Sequence, residues 1–325
     1  MHVVTGATGF IGSATIWELN QKGITDIVAC DTVPPKQRPR ALKNYKYQTF
    51  KTKYELLEWL NNEEPNLQSI IHMGASSSTT VTDEKFLTEN NVEYTQKLWQ
   101  YCADHDVPFV YASSASVYGA GEKGFDDASL TETFLPMHGY GRSKANFDIW
   151  AMKQTKKPSR WYGLRFFNVF GPNEYYKEDM LSVPYKAFQQ IKEKSSVKLF
   201  KSNHPDYKDG EQMRDFVYVR DITRWIHELI STPEAKSGIY NLGYGKARTW
   251  KDLVTAIFHS LNKDVKIEWI DIPETLQQQY QNFTEAKMDR WLHTERSQPE
   301  WPLEKAVDDY VQNYLSQNDK YLGES

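Results

Sequence analysis

The first half of the chain alternates short apolar runs with longer amphipathic stretches. Val3–Thr5, Asp26–Asp31, Ser69–Met73, Pro108–Ser113 and Arg160–Phe167 have the length and composition of strands. Between them, Phe10–Gln21, Tyr54–Asn61, Glu84–Asp104 and Tyr140–Lys153 read as helices. Strands that alternate with helices imply right-handed crossovers and a doubly wound parallel sheet covered on both faces. The expected class is therefore α/β.

The pattern changes after Pro172. Helices are predicted over Met180–Lys194, Asp221–Ser231, Thr249–Leu261 and Leu303–Leu315, with short strands at Val197–Phe200, Phe216–Val219, Ile239–Leu242 and Lys266–Ile270. Thr249, with Asp252 three residues on, is an N-terminal cap signal. His204–Met213 is polar and turn-rich and reads as an exposed loop. No Pro/Gly/Ser linker separates the halves, so a smaller mixed α/β lobe is interwoven with the sheet. The expected division is a dinucleotide-binding part over 1–172, with segments from about 214–245 packing back onto it, and a mainly substrate-binding lobe over 173–325.

Composition narrows the class. The chain has 325 residues, with 39 Lys+Arg against 43 Asp+Glu and a net charge of −4. Only 39% of residues are hydrophobic, but 10 Trp, 20 Tyr and 15 Phe bring the aromatic share to 14%. Disordered chains are poor in aromatics, so the core is expected to be packed with rings. No apolar run approaches the ~18 residues of a membrane span. The N-terminus enters structure without the basic and apolar regions of a signal peptide. Cys30 and Cys102 are too few for a disulfide framework and suit buried thiols in a reducing compartment. The eight His lack ligand-spaced pairs, so no metal is expected. The absence of a basic stripe argues against nucleic acid. These features describe a soluble cytoplasmic protein without a membrane partner.

The first chemical signal follows the first strand. In Gly6-Ala7-Thr8-Gly9-Phe10-Ile11-Gly12 the glycines are spaced three apart. Gly6 suits a tight turn, Gly9 a close approach of backbone to a pyrophosphate, and Gly12 close packing of helix on sheet; the helix N-terminus then faces the anion. Asp31 closes the second strand, where an acid ordinarily takes the ribose hydroxyls of NAD. Lys36, Arg38, Arg40, Lys43 and Lys53 suit a 2′-phosphate instead, and Thr32 adds a hydroxyl. The residues themselves leave NAD and NADP open.

The second signal is Tyr140-Gly141-Arg142-Ser143-Lys144. Residues four apart share a helix face, and a nearby ammonium favours phenolate, so the pair is suited to proton transfer with Tyr140 pushed below its ordinary value near ~10. Ser114, at the end of the fourth strand, is placed to bond a substrate hydroxyl or carbonyl, because ligands of open α/β sheets gather beyond strand C-termini. Each motif alone is unspecific. Their conjunction, in this order, resembles the extended short-chain dehydrogenase/reductases, which have a Rossmann-type sheet and include nucleotide-sugar epimerases and dehydratases.

Further stretches are similar to the ADP-L-glycero-D-manno-heptose 6-epimerase family within that group. They are Lys22–Ile27, His72–Thr80, Glu89–Asn91, Arg165–Pro172, Lys198–Phe200, Arg214–Val219, Tyr240–Gly243 and Tyr280–Thr284. The resemblance covers nearly the whole chain and implies an isomerase. It would invert C6″ of ADP-D-glycero-D-manno-heptose through a transient 6″-ketone, supplying a lipopolysaccharide inner-core precursor. It implies bound NADP, with NAD possible, and a homo-oligomer, often a pentamer.

The resemblance also assigns roles. Phe10 and Ile11 would meet the pyrophosphate, and Asp31, Thr32, Arg38 and Lys53 the adenosine ribose and 2′-phosphate. Met73, Gly74, Ala75, Ser76, Ser77, Asn90, Lys144 and Val169 would line the cofactor. Tyr140 and Lys177 would be the two acid/bases, with Lys177 also near the cofactor. Ser114, Asn168, Asp179, Lys186, Phe200, Lys201, Ser202, Asn203, Arg214 and Tyr280 would meet the substrate, Arg214 at its diphosphate. Asp179 and Lys186 depart from the family's usual Ser and His, and Met73 from its usual acid; residues 204–213 resemble an insertion. The alternatives are another nucleotide-sugar 4-epimerase or dehydratase, and a non-catalytic cofactor-binding regulator. A dehydratase usually has an acid beside the strand-end serine, where this chain has Ala115 and Ser116. A regulator would have lost Tyr140 or Lys144.

Overall fold

Val3 and Val4 are both fully buried, on opposite faces of one strand. Ile70 and Ile71, and Phe109 and Val110, divide in the same way. Such strands lie between two layers of helices. The computed structural model, which describes residues 1–176, 180–232, 235–277 and 280–323, has that architecture.

The central sheet uses β1 (His2–Thr5), β2 (Ile27–Cys30), β3 (Thr49–Lys51), β4 (Ser69–His72), β5 (Phe109–Ser114), β6 (Trp161–Phe166) and a later strand, Gly238–Leu242. That later strand lies beside β6, and the order continues β5, β4, β1, β2, β3, with every pair parallel. The order reverses at β1, between β2 and β4, which opens a crevice at the strands' C-terminal ends. This is the doubly wound Rossmann-type sheet expected.

Helices α1 (Phe10–Gln21), α2 (Lys53–Glu63), α3 (Glu84–Leu87), α4 (Tyr94–Asp104) and α5 (Gly139–Lys153) connect these strands. Residues Thr88–Glu93 form a π-helical segment joining α3 to α4, so the helix expected over 84–104 is continuous but locally unwound. Trp99 packs against Phe109, Phe147, Trp150 and Trp161 at centroid distances between 5.1 and 6.1 Å. This ring cluster fills one side of the sheet and accounts for part of the aromatic excess.

The smaller lobe follows β7 (Asn168–Phe170). The chain there runs through α6 (Val183–Lys194), β8 (Val197–Phe200), β9 (Met213–Tyr218), α7 (Val219–Ser231), β10 (Gly238–Leu242), β11 (Ala247–Thr249), α8 (Trp250–Ser260) and β12 (Ile267–Ile270). Of these, α7 packs on α1 and β10 belongs to the main sheet. β9 pairs antiparallel with β11 and parallel with β7, and β8 pairs parallel with β12. The small helices α9 (Glu274–Gln277) and α10 (Asp289–Leu292) precede α11 (Leu303–Tyr310). Thr249 caps α8 reciprocally with Asp252.

The exposed loop expected over 204–213 requires correction at its end. Gly210 and Gln212 are buried, and Met213 already belongs to β9. Gly210 has φ +75°, and a Cβ there would meet the Trp269 ring at 2.6 Å. Among the described residues, no helix is long and apolar enough to cross a membrane. Cys30 and Cys102 are both buried and unpaired with each other.

Candidate active site

The glycine loop is built by close approach of backbone. Gly6 has φ +66°, and a Cβ on it would lie 2.7 Å from the Gly74 nitrogen. A Cβ on Gly12 would lie 2.1 Å from the Gly6 oxygen. Gly9 is the N-cap of α1 and supplies no side-chain cap, leaving the helix's first N–H groups facing the crevice. A dinucleotide pyrophosphate fits this cradle.

Asp31 sits beside that loop with both carboxylate oxygens engaged. Oδ2 accepts from the Thr8 nitrogen at 3.0 Å and the Thr8 hydroxyl at 2.9 Å. Oδ1 accepts from the nitrogens of Thr32 at 2.7 Å and Val33 at 3.2 Å. Arg38 does not line the crevice itself: its guanidinium lies 5.5 Å from the centroid of Tyr176, which does. Lys53 Nζ donates to Asn90 Oδ1 at 2.6 Å and lies 4.9 Å from the Tyr54 ring centroid. The π-helical segment thus presents Asn90 to the crevice.

The next residue, Asn91, is buried and braces the loop after β4. Its Oδ1 accepts from the Ser76 nitrogen at 2.8 Å, and its Nδ2 donates to the Ser76 oxygen at 3.0 Å. Nδ2 also donates to the Ser143 hydroxyl on α5 at 3.0 Å. His72 is held between Thr5 and Thr95, and burial lowers it to about 3, so it is neutral.

Tyr140, Lys144 and Ser114 come together where β5 meets α5. His138 caps the helix by accepting from the Gly141 nitrogen at 3.1 Å, which places Tyr140 in its first turn. Lys144 is buried one turn on, and its Nζ donates to the Ala112 oxygen at 2.8 Å. Burial lowers Lys144 to about 8, against an opposing effect of Asp148. Tyr140 is raised above its ordinary value by burial; a hydrogen bond with Ser114 acts against this and Asp148 with it. This reverses the expected direction. Lys144 Nζ lies 5.9 Å from the Tyr140 ring centroid, and desolvation of the phenolate outweighs the cation's attraction.

Asp148 continues the Tyr140–Lys144 stripe of α5. It accepts from Tyr111 OH at 3.0 Å, Ser113 Oγ at 2.9 Å and Arg165 Nε at 3.1 Å. Arg165 is completely enclosed and also donates to Tyr118 OH and Thr131 Oγ1. Burial opposes its charge, but Asp148 and Tyr118 hold it above its ordinary value. A buried charge pair with its remaining valences filled makes a rigid floor under Ser114.

One cavity of about 1020 Å³ joins these parts. It is lined by the expected Gly6, Gly9, Phe10, Ile11, Gly12, Asp31, Thr32, Lys53, the loop 73–77, Asn90, Ser114, Tyr140, Lys144, Asn168 and Val169. Lys177 and Asp179 lie outside the described residues. Lys186 is exposed on α6, and Lys201 pairs with Asp271 at 3.1 Å. Ser202 accepts from the His204 nitrogen, and Asn203 is exposed beside it.

Arg214, Phe200 and Tyr280 form a separate cluster reached through Trp250, which lines the cavity. The Arg214 guanidinium lies 5.4 Å from the ring centroids of both Trp250 and Tyr280, and Tyr280 meets Phe200 edge-on at 6.1 Å. Burial lowers Arg214 to about 10, and among the described residues it has no carboxylate partner. Sequence reasoning missed Tyr176, Trp250 and the segment 180–184 at the start of α6 as lining residues. The Ser182 cap followed by Pro184 was a readable sign that a helix begins there.

A parallel sheet of this order, with a glycine cradle at its switch point and Tyr, Lys and Ser gathered at the end of β5, defines a dinucleotide-dependent enzyme of the short-chain dehydrogenase/reductase class. Residues 2–243 match the model of the NAD dependent epimerase/dehydratase family, and the chain belongs to that family. It is 44% identical to the ADP-L-glycero-D-manno-heptose-6-epimerase of Fusobacterium nucleatum, over 99% of this chain and 100% of that protein. The enzyme of the same name from Nitratidesulfovibrio vulgaris is 43% identical over the same shares. The Helicobacter pylori ADP-L-glycero-D-manno-heptose-6-epimerase structure matches with a TM-score of 0.79 and 25% identity, over 96% of this chain and 95% of that one.

Proposed function

We propose that the chain is an ADP-L-glycero-D-manno-heptose 6-epimerase, and that it inverts C6″ of ADP-D-glycero-D-manno-heptose. The observation that carries the reading is the meeting of Tyr140, Lys144 and Ser114 with a dinucleotide cradle in one cavity, in a chain related end to end to enzymes of that name. Residues 1–172 hold the cofactor, and 173–325 mainly hold the sugar nucleotide.

The cofactor proposed is NADP. Both oxygens of Asp31 are occupied by the protein's own donors, which leaves little capacity for the ribose hydroxyls of NAD. Arg38, whose guanidinium donates to the oxygen of the same Thr8 at 3.4 Å, is the cation proposed for a 2′-phosphate. When bound, the nicotinamide takes a hydride from the substrate carbon and returns it, so no net reductant is consumed.

The protein supplies position and proton transfer. Ser114 bonds the reacting oxygen and Tyr140 exchanges its proton, while Lys144, anchored to Ala112, stabilises the phenolate when it forms. Lys177 is proposed as the second acid/base, serving the epimer whose hydroxyl approaches from the other side. Arg214 takes the diphosphate: a buried guanidinium beside two rings, with no carboxylate partner among the described residues, is prepared for a bidentate anion. We further propose a cytoplasmic homo-oligomer; the exposed Leu130 and Leu135 suit a contact between copies.

The test is conversion of ADP-D-glycero-D-manno-heptose by the purified, cofactor-loaded protein, followed by NMR without added cofactor. The L-glycero epimer is expected. Its absence from active, loaded protein sinks the assignment, and a change at C4″ instead would mark another nucleotide-sugar epimerase.

A further inference from the structure

We infer that residues 319–323 form a strap that positions Arg38, by way of Tyr176, for the 2′-phosphate of the cofactor. The inference rests on the NADP reading above.

Arg38 lies in the stretch between β2 and β3, which has turns but no regular helix or strand. An arginine on such a stretch has rotamer freedom to lose before it holds an anion. Here something restricts it. The guanidinium lies 5.5 Å from the Tyr176 ring centroid, and the Tyr176 hydroxyl accepts from the Arg40 nitrogen at 3.3 Å. The guanidinium also donates to the Thr8 oxygen at 3.4 Å, so Tyr176 shares in holding the side chain and holds the backbone of the basic segment as well.

Tyr176 is itself held from behind. The Tyr321 ring lies 6.2 Å from it and 5.1 Å from Tyr175. The strap bearing Tyr321 is fastened at four further points, one of them the bond from the Leu322 nitrogen to Asn173 Oδ1 at 2.9 Å. Tyr175 OH donates to the Lys320 oxygen at 2.6 Å, Tyr45 OH to the Leu322 oxygen at 2.9 Å, and Trp17 Nε1 to the Gly323 oxygen at 2.8 Å. Leu322 is buried against Phe10, Ala14 and Trp17 of α1, the helix whose N-terminus forms the cradle. The chain Tyr321–Tyr176–Arg38 therefore connects a distant part of the sequence to a cation proposed to distinguish NADP from NAD. A strap that served only stability would have no reason to affect the two cofactors differently.

The test is direct titration of cofactor-stripped full-length protein with NADPH and NADH by fluorescence, without turnover. The wild type is expected to prefer NADPH. Tyr321→Ala and Tyr176→Ala should each weaken NADPH by about five- to tenfold while changing NADH less than about twofold. Tyr176→Phe, which keeps the ring beside Arg38 but removes the hydroxyl that accepts from Arg40, should weaken NADPH less than Tyr176→Ala does. Tyr321→Ala leaves the Leu322 anchor in place, and its folding is checked by a thermal melt. In an Arg38→Ala background, Tyr321→Ala should add nothing. An equal loss of both cofactors, no loss of either, or an undiminished effect of Tyr321→Ala without Arg38 overturns the strap. A wild type with no preference for NADPH instead overturns the NADP reading, and the inference with it.

Discussion

The Lys144 ammonium donates to the main-chain oxygen of Ala112 at 2.8 Å, tying the helix that carries Tyr140 to the strand that ends in Ser114. Because burial lowers this lysine to about 8, its charge is available below that pH and lost above it. The pH profile of kcat/KM should therefore fall on the alkaline side near pH 8 in the free enzyme. Stability has a related sign. Lys144 titrates lower in the folded chain than in the unfolded one, so between about pH 8 and 10.5 the unfolded chain binds more protons and folding is favoured as pH rises. Lys144→Met should abolish turnover without lowering the melting temperature at pH 7, and its difference from wild type should shift in favour of wild type by pH 10. A Lys144→Met melting temperature well below wild type at pH 7 would contradict this.

Tyr140→Phe removes the phenol and keeps the ring that lines the cavity. Turnover is expected to fall by about 10²–10⁴-fold, the usual share of a positioned proton-transfer group. Cofactor affinity should change little, since the cradle at Gly6–Gly12 is remote in sequence and built from backbone. Steady-state rates and a cofactor titration on the same preparation separate the two. Retained turnover would move the acid/base role elsewhere.

The central sheet was legible because its strands are short apolar runs separated by amphipathic helices of sufficient length. β3 was not, since Thr49–Lys51 is a three-residue edge strand with little apolar pattern. β7 and β11 are equally short and exist through pairing with β9. The cofactor loop and the Tyr–Lys pair could be read because their geometry is local, a turn or one helix face. Tyr176 and Trp250 could not, because each reaches the cavity through contacts with distant segments. The direction of the Tyr140 shift was misjudged for a related reason: spacing reveals a neighbouring cation but not the depth of burial that opposes it.

Asp148→Asn should destabilise the fold by about 3–5 kcal/mol, because it leaves Arg165 charged, enclosed and without its counter-ion. The companion change Arg165→Met strands Asp148 in the same way. The two should be strongly non-additive, with the double variant losing less than the sum of the single losses. Urea unfolding of the four proteins measures this cycle. Additive losses would mean that the remaining bonds of Arg165, to Tyr118 and Thr131, matter more than the pair.

Arg214 provides the sharpest separation of binding from chemistry. Its guanidinium lies 5.4 Å from the ring centroids of both Trp250 and Tyr280, and donates to the main-chain oxygens of Met213 and Gln281. A group that grips the diphosphate equally in ground and transition states affects KM rather than kcat. Arg214→Ala should therefore raise KM by about 10- to 100-fold, the worth of a charge-assisted bidentate contact, and change kcat by less than about threefold. Arg214→Lys should recover little, because an ammonium neither fills the space beside the rings nor forms the paired bonds. Steady-state kinetics over a wide substrate range would show the split. A loss confined to kcat would place Arg214 at the reacting sugar and leave the diphosphate to another cation.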